Sequence, residues 1–188
     1  MIDATLSVSL EKVAESPYQK PRVLISRCLL GEKVRYDGND CHQPTLITQL
    51  SRAVDLIPIC PEVEAGLGVP RPPVQLVKTQ EKVTVLGTVQ LDLDVSEVLI
   101  PWCEQAVVTL CADIHGAVLK ARSPSCGVDS TPLHDSRRVV VEIGSGVFAA
   151  GLRKYHPSMP IVEESALQEQ EKVQLFLNAV QGYFESNK

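Results

Sequence analysis

Residues 116–127 read GAVLKARSPSCG, and the way this stretch breaks in two decides the fold. An apolar run, Gly116 to Leu119, gives way to charged residues, then to Pro124 between two serines, and ends in Cys126 and Gly127. Such a run closed by turn residues is the signature of a buried strand entering a loop. The pattern occurs twice upstream, as VLISRC at 23–28 and DLIPIC at 55–60. Between the three runs lie stretches of helical character, PTLITQLSRA at 44–53 and EVLIPWCEQAVVTLCADI at 97–114. Apolar strands alternating with helices predict one α/β domain, a Rossmann-like, mainly parallel sheet with helices on both faces.

Outward from these runs, residues 1–20 read as an N-terminal arm, partly helical, and 21–188 as the α/β domain with its C-terminal helix. VQLVKT and KVTVLGTV predict a small hairpin or extended excursion. A long helix is expected over Ser96–His115, starting later if Pro101 is to fall in its first turn. SPSCGVDSTPLHDSRRV, from Ser123, reads as loop, followed by a helix around GVFAAGLRKYH and a short strand in MPIVEE. The last helix is expected to open at a capping box, Ser165 with Gln168. Leu167, Val173, Phe176, Leu177, Val180 and Phe184 then form its apolar stripe.

The formal charge of −5, with no basic run, argues against nonspecific nucleic-acid binding. No apolar run approaches the roughly 20 residues that span a bilayer. The first residues lack a basic start followed by an apolar core, so no secretory signal is expected and the predicted location is cytoplasmic. In that reducing setting the six cysteines are expected as thiols, metal ligands or catalytic groups rather than disulfides.

Cys28, Cys60 and Cys126 each stand at or just past the end of a predicted strand. Parallel sheets bind ligands beyond the carboxyl ends of their strands, so neighbouring strands would bring the three thiols into one crevice. Cys103 and Cys111 fall within the long helix and are expected to pack as small apolar groups; Cys41, in GNDCHQP, reads as a loop thiol. Three thiolates suit zinc with a fourth His or water, or a 4Fe-4S cluster with one open iron. No CxxC spacing chooses between them.

Three motifs, SRCLLGEKVRYDG, ICPEV followed by PRPP, and ARSPSCG, together resemble the thiouracil desulfurase (TudS-like) family over about residues 22–160. The resemblance implies a 4Fe-4S cluster on Cys28, Cys60 and Cys126, and removal of sulfur from a thiolated uracil without net redox change. It also implies catalytic roles for Glu62 and Ser123; by position alone, Glu64 and Ser125, each two residues further on, compete for the same roles. One departure is EAGLGVPRPP, where the family often turns on paired glycines.

A thiocarbonyl sulfur is soft and suits an open iron, and Glu62, two residues from a ligand, is placed to move a proton. Arg35 is a candidate phosphate grip and Tyr36 a stacking surface. Gly144 and Gly146 are expected at a helix start whose amides bind an anion. The expected partner is therefore a small thiolated pyrimidine, either 2-thiouracil or 4-thiouridine 5′-monophosphate, with neither nucleic acid nor membrane; no oligomeric state is specified. The competing reading is a non-catalytic metal module, a zinc-stabilised scaffold closed by Cys41 or His42, or an iron–sulfur redox sensor.

Overall fold

The computed structural model describes residues 20–80 and 82–187. Strand β1 (Arg22–Ser26) is buried from Val23 onward and lies inside a four-stranded sheet. It pairs in parallel with β2 (Asp55–Ile59) on one side and β5 (Gly116–Leu119) on the other, and β5 pairs in parallel with β8 (Ile161–Glu163). Pro58 is tolerated because β2 is an edge strand, where a missing N–H breaks no ladder bond.

Alternation along β1 sorts the core into two layers. Val23 and Ile25 face helices α1 (Pro44–Leu50) and α5 (Gln170–Ser186), joining Leu46, Leu50, Phe176 and Val180. Leu24 faces the other way, towards α3 (Ser96–Thr109) and α4 (Val147–Tyr155), joining Leu99, Val107, Phe148 and Leu152. Burying each such side chain stabilises the fold by roughly 1.5–3 kcal/mol. All four β5 residues are buried. Gly116 has no alternative there, since a Cβ would stand 2.7 Å from Val180 of α5. The expected parallel α/β sheet with helices on both faces is what the chain forms.

A second sheet lies beside the first, in the order β4-β3-β6-β7. Its β3 (Val74–Lys78) and β4 (Val83–Gly87) make the expected hairpin, in register from Val74 opposite Gly87. Strand β6 (Thr131–His134) falls where loop was expected, and β7 (Val140–Gly144) between that loop and the following helix, where no strand was expected. TPLH is too short to show a period. All but the last residue of VVEIG are exposed, so that strand has no buried face to alternate with.

Three helix boundaries differ from expectation. Helix α3 ends at Thr109 and starts at Ser96, keeping Pro101 inside; Asp94 Oδ1 accepts the Ser96 amide at 2.8 Å and holds that start. The Ser165–Gln168 capping box does not form, because Glu164–Ala166 is a short 3-10 turn and α5 begins at Gln170. Ser165 donates instead to Glu163, and Gln168 to the Glu164 carbonyl. Gly144 ends β7 rather than opening a helix; only Gly146 caps α4. The expected arm lies outside the described residues except for Lys20.

Candidate active site

Because β2, β1 and β5 are neighbours in that order, their carboxyl ends open at one edge of the sheet. Cys28 sits in a 3-10 turn (Arg27–Leu30) that Gly31 closes at φ 91°. Cys60 is the N-cap of a single helical turn, α2 (Pro61–Glu64). Cys126 comes in the loop after β5. All three line one cavity of about 570 Å³, together with Cys41.

The Cys126 loop is held from both ends. Ser123 Oγ accepts the amides of Ser125 and Cys126 at 3.2 and 3.1 Å, a local turn that competes with no sheet bond. Helix α4 docks on the loop, with the amides of Val147, Phe148 and Ala149 donating to the carbonyls of Pro124 and Ser125. Gly146 donates to the Gly127 carbonyl at 2.7 Å, and a Cβ on Gly146 would meet Ser125 backbone at 2.5 Å. This corrects the expected anion site at Gly144 and Gly146. The helix-start amides are spent on loop carbonyls, and neither glycine lines the cavity.

Glu62 is buried in the cavity wall, 9% exposed, with both carboxylate oxygens engaged. Arg71 donates Nε to Oε2 at 2.8 Å, with Nη2 2.7 Å from the same oxygen. Ser125 Oγ donates to Oε1 at 2.8 Å. Arg71 is itself fixed by the carbonyls of Val34 and Gly68, both at 2.9 Å. A carboxylate has about four lone-pair sites; three are taken here, and the one left is on Oε1. Glu64 has a different place: its Oε1 accepts the Cys60 amide at 2.9 Å and caps α2. Ser125 does not line the cavity, whereas Ser123 does and keeps its own O–H free to donate.

The walls are cationic. Lys120 pairs with buried Glu164, and Arg27 with Glu32 at 2.5 Å. Arg35 donates Nη1 to Cys41 Sγ at 3.3 Å, contacts Asp37 at 3.4 Å and stands 5.4 Å from the Tyr36 ring centre. Tyr36 is 41% exposed at the mouth. Arg122 is exposed and lines the cavity from a left-handed backbone, φ 60°, that a non-glycine residue adopts only under constraint. Its amide donates to Ser130 Oγ at 2.7 Å.

Sequence reasoning assigned no role to Arg71, Lys120 or Arg122, and gave Cys41 one only in the competing zinc reading. The available signals were the PRPP motif itself and the two cations in the stretch LKAR.

Electrostatics say what the thiols need. Burial pushes the Cys28 thiol up to about 12, with Cys41 and Cys60 adding to it. Burial also raises Cys126 well above the ordinary thiol value, and raises Cys60, where the Glu62 charge adds to it. Three neighbouring thiols that resist ionisation become thiolates together only against concentrated positive charge. Among the described residues no three His, Cys, Asp or Glu side chains stand close enough for a single metal ion.

Residues 23–164 match the sequence profile of the 2-thiouracil desulfurase family. The chain belongs to that family. A solved structure of a 4Fe-4S-dependent thiouracil desulfidase, TudS, is 31% identical, covering 85% of this chain and 99% of its own, with a TM-score of 0.62. A search of curated proteins returns no match.

Proposed function

We propose that this protein is a 4Fe-4S-dependent desulfidase that converts a thiolated uracil and water into the uracil carbonyl and hydrogen sulfide, with no net redox change. The observation that carries the reading is that the strand-end thiols Cys28, Cys60 and Cys126 line one cavity together with the Glu62 carboxylate. The donor set fits the cluster, because three strand-end cysteines, two of them buried, line one cavity, and cysteine thiolates are the ligands that iron–sulfur clusters take. Held by these three thiolates, the cluster would supply a Lewis-acidic iron with a free position for the thiocarbonyl sulfur. Loading releases the thiol protons.

The chain's own residues perform the proton work. Glu62 uses its free Oε1 site to take a proton from the water that adds to the ring carbon. Arg71 and Ser125 keep that carboxylate aimed while its charge changes. Ser123 donates its hydroxyl to the substrate, its lone pairs being committed to the Ser125 and Cys126 amides.

The favoured substrate is 4-thiouridine 5′-monophosphate over free 2-thiouracil. Tyr36 at the mouth offers the base or ribose a surface, and Arg122 and Arg35 offer cations for the phosphate. Arg122 takes the larger share, since Arg35 is already engaged by Cys41 and Asp37. Charge-assisted contacts of this kind are worth roughly 1.5–3 kcal/mol, or about 10–150-fold in kcat/KM for nucleotide over nucleoside.

The test is anaerobic reconstitution, then iron and sulfide counts and sulfide release from 4-thiouridine monophosphate, 4-thiouridine and 2-thiouracil. Full cluster content with no sulfide release from any of them rejects the desulfidase. Equal efficiency for nucleoside and nucleotide rejects the phosphate assignment alone.

A further inference from the structure

Four cysteines, not three, line the cavity, and desulfuration by Glu62 and Ser123 leaves Cys41 without a task. Its amide donates to the Cys28 carbonyl at 2.9 Å, and the Gln43 amide donates to Leu29 at 2.9 Å, so the two segments run side by side. A direct N–H···O contact between the two residues keeps their α-carbons within roughly 7 Å of each other, close to the roughly 4.4–6.8 Å that a disulfide spans. The two thiols differ in access. Cys41 is only partly buried and Arg35 lies against its sulfur, whereas Cys28 is 8% exposed. Partly exposed thiols beside a cation are the ones that oxidants reach first.

We propose that Cys41 is a redox-modification site: under peroxide it forms an intramolecular disulfide with Cys28, sheltering that thiol and withholding it from iron until a dithiol reduces the bond. The Cys41 sulfur attacks peroxide, the O–O bond breaks, and a sulfenic acid forms with release of one water. The Cys28 sulfur then displaces the hydroxyl, which leaves as a second water with the Cys28 proton. Two thiols lose two electrons in all, and the peroxide gains them. Withholding of iron rests on the reading of Cys28 as a ligand; the disulfide itself does not.

Metal-free protein prepared without oxygen is treated with one equivalent of hydrogen peroxide, and trypsin digests are mapped by mass with and without reduction. Cleavage at Arg27, Lys33, Arg35 and Arg52 separates the two cysteines onto different peptides. The expected result is a Cys28–Cys41 cross-link, loss of two free thiols, and iron uptake restored by dithiothreitol. In Cys41→Ser treated with peroxide in excess, at least two equivalents per thiol, the expected result is sulfinic acid at Cys28 and iron uptake that reduction does not restore. Cys41 recovered as a free thiol, Cys28 paired with Cys60 or Cys126, or full recovery of Cys41→Ser after reduction would each overturn the proposal. A Cys28–Cys41 bond in a protein whose Cys28→Ala variant still takes up a full complement of iron would uphold the redox site and remove Cys28 from the ligand set.

Discussion

Glu62 gathers most of its meaning from two side chains that touch it, Arg71 and Ser125. Glu62→Gln keeps the shape and removes the base, so turnover should fall by about 10²–10⁴-fold while iron and sulfide content hold. Unchanged turnover would take Glu62 out of the mechanism; the same loss in Glu64→Gln would move the role to the residue that caps α2. Arg71→Ala is expected to act on stability first. It leaves a buried carboxylate without its partner, a loss of about 3–5 kcal/mol, read as a lower urea midpoint at pH 7. A midpoint within error of wild type would show that the pair is not structural. For the substrate, Arg122→Ala should raise KM for 4-thiouridine monophosphate and leave the nucleoside unaffected, whereas an equal rise for both would place Arg122 away from the phosphate.

At the scale of elements, the Cys126 loop is a splint between β5 and α4, and its fit depends on Gly146. A Cβ there meets Ser125 backbone rather than a movable side chain. Gly146→Ala should therefore cost about 1–3 kcal/mol as an overpacked contact and lower cluster occupancy together with thermal midpoint. Occupancy lost at an unchanged midpoint would mean that the glycine serves the cluster directly. The far side of the same loop hangs on Glu163 at the end of β8. Burial alone would raise its carboxyl, but the Ser130 hydroxyl, the amides of Val128 and Asp129, and Ser165 outweigh burial and lower it. A folded value below the unfolded value, about 4.3 for Glu, means that its contribution is present above that pH. The contribution is lost as pH falls through the folded value. Urea midpoints at pH 7, 5 and 3 should converge between wild type and Glu163→Gln at the acid end; a gap independent of pH would show that the hydrogen bonds act without the charge.

Across the whole molecule the six thiols divide by location. Replacing Cys28, Cys60 or Cys126 by Ala should abolish cluster binding and turnover, whereas Cys103→Ala and Cys111→Ala should act through packing, being buried among the α3 and α4 side chains. Iron retained in Cys60→Ala but lost in Cys41→Ala would reassign the ligand set. Much of this arrangement is legible in the sequence. Three apolar runs point to the parallel sheet, the residues that close those runs put the thiols at strand ends, and three short motifs in order point to the family. These are properties of neighbours in sequence, where side-chain period and turn chemistry operate. Which strands lie side by side, and which groups face each other, depends on burial shared between distant segments. Arg71 reaches Glu62 only because the chain doubles back after α2, and Cys41 reaches Cys28 only across a turn-rich loop. The amides before α4 look free for an anion in sequence and are spent in the fold on the loop that carries Cys126. The β6–β7 half of the second sheet was hidden because β6 is short and β7 is exposed along most of its length, leaving no alternation to read. Local chemistry named the thiols and the strands; tertiary packing alone chose their partners, because a buried charge or amide takes whichever group the fold brings within about 3 Å.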